Sequence, residues 1–198
     1  MEDPSEAELV HRLRQGEPAA FDEIYARFHA PLYAFLARLL GRRDLAEDLA
    51  QETWIRLATH AGGLRPDTRL GAWLYTVARN LTLSFRRWSA FNGRRLAILH
   101  RRQDAGDSVS PFDLATAGET QRRLEAALAS LPETYREVLL LVGVEGLPRV
   151  DAAAILGLRP DALRQRLLRA RAMMEDRLGP AEAGTTAAAT AGLPETSG

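Results

Sequence analysis

Apolar residues recur at spacings of three and four along most of the chain, and no alternating run of useful length interrupts them, so nearly every segment predicts an amphipathic helix. The pattern places helices at 5–15, 18–40, 44–60, 68–89, 119–130, 132–142, 148–156 and 160–178. Start signals agree with it. Ser5 with Glu8 and Asp44 with Glu47 have capping-box spacing, and Pro18, Pro132, Pro148 and Pro160 each sit where a first helical residue is expected. Pro31 falls inside the second helix and predicts a kink there. Between 89 and 118 the periodicity is lost, and Asp104-Ala-Gly-Asp-Ser-Val-Ser-Pro111 reads as a flexible linker. The last stretch, 179–198, is Ala, Thr, Gly and Pro with almost no large apolar residue, which predicts a disordered tail. The expected fold is all-α: two small helical domains, 1–89 and 119–178, joined by a linker at 90–118.

Composition narrows the chemistry. The 198 residues contain no cysteine, which removes disulfide scaffolds, thiolate metal sites and cysteine nucleophiles together. His11, His29, His60 and His100 form no pair at metal-ligand spacing, so neither a metal nor a cofactor is expected. The first twenty residues are acidic and polar, and no apolar run approaches the ~20 residues that span a bilayer. On these grounds the chain is expected to be cytoplasmic, without membrane insertion.

All 26 basic residues are arginine, and 26 acidic residues balance them. The neutral total hides a segregation. Residues 1–60 are net −4, residues 61–103 carry nine arginines against only Asp67, residues 104–150 return to net −4, and residues 151–178 are net +2. Two lobes of alternating polarity follow.

Three helix faces are not accounted for by packing. On 44–60, Leu45, Ala46, Leu49, Ala50, Trp54 and Leu57 share the core side, while Asp44, Glu47, Asp48, Gln51 and Glu52 gather around Ile55 on the opposite side. Four carboxylates about an apolar centre suit a basic protein partner better than DNA, although a merely solvated acidic face has the same pattern. On 68–89, Leu70, Trp73, Leu74, Val77, Leu81, Phe85 and Trp88 form an apolar stripe, with both tryptophans read as core. The remaining surface holds Arg69, Arg79, Asn80, Arg86 and Arg87, with Tyr75 at its margin, a cationic face able to meet phosphates and exposed bases or simply to be solvated. In the second lobe a short helix, Gly157 and a longer helix from Pro160 have a helix-turn-helix layout. Leu163, Leu167, Ala170, Met174 and Leu178 form the buried stripe of that longer helix. Arg164, Gln165, Arg166 and Arg169 point elsewhere, where a major groove would present phosphates, guanine and adenine edges.

The order of these pieces is more specific than any one. Phe21-Asp-Glu-Ile-Tyr, Asp44-Leu-Ala-Glu-Asp-Leu-Ala-Gln-Glu-Thr-Trp54 and Ala72-Trp-Leu-Tyr-Thr-Val-Ala-Arg-Asn80 resemble region 2 of the extracytoplasmic-function (ECF) group of bacterial sigma factors, within the sigma-70 family. Leu131-Pro-Glu-Thr-Tyr-Arg-Glu-Val-Leu-Leu-Leu141, Glu145-Gly-Leu147, Ile155-Leu-Gly157 and Arg166-Leu-Leu-Arg-Ala-Arg171 resemble region 4 of the same group. The resemblance implies that the first lobe is a region 2 bundle and the second a region 4 helix-turn-helix domain. It implies docking of Asp44, Glu47, Asp48, Gln51, Glu52 and Ile55 on the β′ clamp helices of core RNA polymerase, with the β flap as a further contact. It implies capture of the melted non-template strand of the minus-ten element by Arg69, Arg79, Asn80, Arg86 and Arg87. Reading of the minus-thirty-five element would fall to Arg159, Arg164, Gln165, Arg166 and Arg169. Core polymerase, promoter DNA and an anti-sigma factor are the implied partners, and no catalytic residue is expected.

Two stretches depart from the family pattern. Pro148-Arg149-Val150-Asp151-Ala152-Ala153 stands where Ser-Tyr-x-Glu-Ile-Ala is common, and Arg159-Pro160-Asp161-Ala162 where a small or hydroxylated run precedes the basic positions. Both remove hydroxyls that would meet phosphates. A sigma-like decoy that binds a sigma inhibitor, and a helix-turn-helix regulator acting without polymerase, are alternatives that the residues leave open.

Overall fold

The computed structural model describes residues 4–96 and 118–179, and every element among them is helical. The first lobe comprises α1 (Glu6–Arg14), α2 (Pro18–Leu40), α3 (Arg43–His60), a 3-10 turn (Ala61–Gly63) and α4 (Leu70–Leu96). The second comprises α5 (Glu119–Ser130), α6 (Glu133–Leu139), a π-helical turn (Leu140–Val144), α7 (Arg149–Leu156) and α8 (Pro160–Leu178). Residues 1–3, most of the expected linker (97–117) and most of the expected tail (180–198) lie outside the described residues.

Local signals explain most of the boundaries. The Ser5 hydroxyl accepts from the Glu8 amide at 3.3 Å and starts α1. Glu6, on the first turn of α1, accepts the Leu70 amide at 3.0 Å and so supplies one of the bonds that the start of α4 lacks. Gly41, at φ 68°, ends α2 in the left-handed region and turns the chain into α3. Pro18 and Pro160 are first helical residues, whereas Pro132 and Pro148 stand one position earlier, as N-caps. The capping box expected at Asp44 is not formed. The helix starts at Arg43, and Asp44, already inside it, pairs with Arg42 at 2.6 Å. α2 continues unbroken through Pro31.

The expected stripes are buried: Leu45, Ala46, Leu49, Ala50, Trp54 and Leu57 of α3, Leu70, Leu74 and Leu81 of α4, and Leu163, Leu167 and Ala170 of α8. Phe35, Ile24, Leu32 and Leu36 of α2 complete the first core, and Leu131, Val138, Leu140, Leu141 and Ile155 the second. Each fully buried leucine contributes roughly 1.5–3 kcal/mol. One departure concerns the end of α4, which runs to Leu96 rather than to 89. Its stripe outlasts the helices that cover it. Phe85 is half-buried, Trp88 is 58% exposed and Phe91 81% exposed, so Trp88, read from periodicity as core, is a surface residue.

The two lobes are not separate beads, since α2 and α4 pack against α6, the π turn and α7, and the two cores merge into one cluster. Arg38 of α2 and Glu125 of α5 pair at 2.9 Å with both side chains buried. Arg136 of α6 donates to the carbonyls of Arg38 and Leu39 at the end of α2, each at 3.4 Å, and to Leu131 at 3.0 Å. Burial lowers the Arg136 pKa from its ordinary value, in keeping with a cation held mainly by peptide carbonyls. Removing one member of a buried pair takes from the other its bidentate partner. Glu125→Ala is therefore expected to cost about 3–5 kcal/mol in urea unfolding, whereas Arg38→Met with Glu125→Leu together recovers most of the loss.

Candidate protein and nucleic-acid interfaces

α3 presents its acidic face outward. Asp44, Glu47, Asp48 and Gln51 are exposed, Glu52 is half-buried and bonded to Arg56 at 2.9 Å, and Ile55 at their centre is 49% exposed. The Arg42 guanidinium holds the Asp44 carboxyl below its ordinary pKa, so that charge persists under mild acid. An exposed Ile among carboxylates has no packing role in this lobe.

Beside this face runs a groove of about 660 Å³ between α2 and α3. Its floor is a ladder of rings on α2, Phe21, Tyr25, His29 and Tyr33, spaced four residues apart and therefore aligned along one side of the helix. Tyr25 stacks on His29 at 4.5 Å and leans on Trp54 at 4.9 Å, while Phe21 meets Trp54 edge-on at 6.1 Å. Buried Trp54 Nε1 and His29 Nδ1 have no hydrogen-bond partner among the described residues. The ring ladder is absent from the sequence-derived set, although its spacing of four was the available signal.

The cationic face of α4 divides in two. Asn80, Arg87 and Trp88 are exposed, and Arg87 donates to Ser84 at 3.3 Å. Three arginines meet carboxylates of the second lobe: Arg69, exposed and just before α4, meets Asp151 at 2.5 Å, Arg79 meets Glu137 at 2.7 Å, and Arg86 meets Glu133. Glu137 and Asp151 are buried. Tyr75, expected at the margin of this face, is also covered: it packs edge-on against Phe35 at 5.1 Å and donates its hydroxyl to Glu145. Burial and the adjacent Glu145 charge push the Tyr75 hydroxyl well above its ordinary pKa.

On the helix-turn-helix, Gly157 takes φ 65° between α7 and α8, the conformation that the tight turn requires. Arg159, Arg164, Gln165 and Arg169 are exposed and Arg166 half-buried, on the side opposite Leu163, Leu167 and Ala170. Among the described residues none of these four arginines has an ion pair. The face is free to meet a groove. No cluster of His, Asp or Glu among the described residues is arranged to hold a metal.

Known proteins share this arrangement of parts. The family described as Sigma-70 region 2 matches residues 24–91, and Sigma-70, region 4, matches residues 121–174. The chain is 37% identical over 147 residues to the ECF RNA polymerase sigma factor EcfG of Rhodopseudomonas palustris, covering 72% of this chain and 76% of that one. It is 32% identical to the RNA polymerase sigma factor CarQ of Myxococcus xanthus, over 87% of this chain and 97% of the relative. Among solved structures, the sigma factor RpoE in complex with the anti-sigma factor NepR from Bartonella quintana superposes with a TM-score of 0.66, at 28% identity, over 80% of this chain and 96% of that one. CnrH in complex with the cytosolic domain of CnrY gives 0.61, at 26% identity, over 87% and 96%.

The Tyr75–Glu145 contact has a pH signature. Burial raises the Glu145 pKa, outweighing the opposing hydrogen bond from Tyr75 and the positive charge of Arg38. A carboxyl raised on folding favours the native state below its unfolded pKa, and that contribution is lost as pH climbs through the raised value. Glu145→Gln keeps an acceptor for Tyr75 and abolishes the titration. The variant is expected to be at least as stable as the parent in neutral buffer, with the difference vanishing in mild acid, in urea unfolding at the two pH values.

Proposed function

Since the chain belongs to the ECF group of sigma-70-family RNA polymerase sigma factors, and is thus a transcription initiation factor, we propose that its separate faces divide the work of promoter recognition. The acidic face of α3, with Asp44, Glu47, Asp48, Gln51, Glu52 and Ile55, docks on the clamp helices of the core polymerase β′ subunit, and the second lobe meets the β flap. The ring-lined groove beside it widens that surface and accepts apolar side chains. The observation that carries this reading is the exposed Ile55 inside a ring of carboxylates, next to an aromatic-lined groove. Such a surface repels phosphates and suits a cationic, partly apolar protein.

DNA is met elsewhere. Arg69, Arg79, Asn80, Arg86 and Arg87 bind the melted minus-ten strand, and Arg159, Arg164, Gln165, Arg166 and Arg169 bind the minus-thirty-five duplex. Exposed Trp88 and Phe91, beside Arg87, add rings on which unpaired bases stack. The chain supplies recognition and strand separation, while chemistry belongs to the polymerase, with which it works in the cytoplasm. An anti-sigma factor is the expected antagonist.

Asp48→Arg with Gln51→Ala alters two exposed positions of the docking face. It is expected to weaken core polymerase capture more than tenfold, roughly the worth of 1.4 kcal/mol, while circular dichroism stays unchanged. Undiminished capture and promoter-specific RNA synthesis in a reconstituted reaction would remove the proposed docking face. Trp88→Ala is expected to cost about 1–3 kcal/mol in binding a minus-ten single strand by the assembled holoenzyme, read by fluorescence anisotropy.

A further inference from the structure

Over residues 160–174, α8 carries four arginines and a single carboxylate, Asp161, on its first turn. That carboxylate falls in Arg159-Pro160-Asp161-Ala162, one of the two stretches that depart from the family pattern. At about 100° per residue, Asp161, Arg164, Gln165 and Leu168 share an arc of roughly 100°, with Asp161 and Leu168 between the other two. All four are exposed, and the arc stands opposite buried Leu163, Leu167 and Ala170. Arg169 and Arg171, also exposed, lie about 80° to either side of Asp161. A helix seated in a major groove turns its central line to the base edges and its flanks to the phosphate walls, and reads chiefly from its N-terminal residues. Asp161 occupies that line at that end. Nothing within the protein claims its charge, since Asp161 joins no ion pair among the described residues, not even with Arg164 one turn on.

Base edges differ in what they offer a carboxylate. In the major groove only the amino groups of cytosine and adenine donate, while guanine and thymine present acceptors that repel it. Adenine sets its N7 acceptor beside the amino group, whereas cytosine presents the amino group alone. From this placement we propose that Asp161 is a specificity-determining residue of the upstream promoter contact: its carboxylate accepts from the N4 amino group of one cytosine and disfavours every other base at that position. The proposal rests on the reading of α8 as the minus-thirty-five helix. An anion in the groove weakens binding to all duplexes, because it opposes the arginines that neutralise phosphates, and the bond to cytosine restores the loss for one base alone. A hydroxyl at this place would anchor the helix to the backbone. The carboxylate exchanges that anchoring for selection, so removing it relaxes base choice without weakening attachment to DNA in general.

The test is selection from duplexes of random sequence by the full-length chain assembled on core polymerase, with sequencing of the bound DNA. The parent is expected to return an upstream block in which one position prefers cytosine about tenfold. Asp161→Ala is expected to bring that preference close to onefold, leave the other positions as they are, and bind unselected duplex no more weakly than the parent. Asp161→Asn presents an acceptor and a donor side by side, and is expected to move the same position to adenine. Loss of a helix-stabilising charge cannot imitate that gain, and the Asn variant carries the test alone if circular dichroism shows Asp161→Ala to be unfolded. Asp176→Asn makes the same charge change at an exposed position near the far end of α8, and should leave every preference unchanged. Preferences unaltered in both Asp161 variants, or a weakening shared evenly by all positions, overturn the role of Asp161. Arg164→Ala is selected alongside. If it alters the upstream block while the Asp161 variants do not, the minus-thirty-five reading stands without the proposal, and a parent that selects no upstream block removes both.

Discussion

The arrangement depends on arginine meeting carboxylate across a seam between two lobes that are distant in sequence. Arg38 with Glu125, Arg79 with Glu137 and Arg69 with Asp151 each join a cation of the first lobe to an anion of the second. Burying such charges is costly unless each finds a partner of good geometry, so the seam is selective in a way that apolar contact alone is not. It tolerates closure in one register. Guanidinium is well suited to this role, being planar, permanently charged and able to share donors between a carboxylate and carbonyls, as Arg136 does among carbonyls alone. A chain whose only basic side chain, histidine aside, is arginine builds its seam and its exposed cationic faces from one chemical group.

That economy explains why a neutral chain can be a specific one. The basic block at 61–103 and the acidic block at 104–150 cancel in the total, and in space they cancel partly against each other, Arg79 on Glu137 and Arg86 on Glu133. What remains exposed is sorted by chemistry: carboxylates with Ile55 on α3, arginines with Gln165 on α8, and Trp88 and Phe91 towards the end of α4.

Much of this is legible in the sequence where structure is local. The stripes of α2, α3 and α8, the turn at Gly157 and the outward Ile55 follow from a 3.6-residue period and from backbone sterics, both of which act within a few positions. Legibility ends where burial is conferred from a distance. Arg79, on the face that periodicity leaves to solvent, and Tyr75 at its margin are covered because the other lobe packs over them, as are Glu125, Glu137 and Asp151 on the facing side. Trp88 errs the other way: it is in phase with the core stripe, but α4 extends past its neighbours and leaves it bare. The aromatic ladder on α2 lay in plain view as a spacing of four, and it has meaning only once Trp54 is known to close the groove from α3.

The π turn at Leu140–Val144 has a consequence of its own. It replaces the ordinary helical bond with one from the Glu145 amide to the Leu140 carbonyl at 2.9 Å, taking up one more residue than an α turn needs. The surplus residue acts as a spacer that sets the angular phase of everything after it, including the Glu145 that meets Tyr75. Deleting a single residue here would swing that carboxylate by about 100° around the helix axis. Chain length across this short turn, whose Leu140 and Leu141 are themselves core residues, is therefore held as tightly as side-chain identity, and natural insertions or deletions should avoid it.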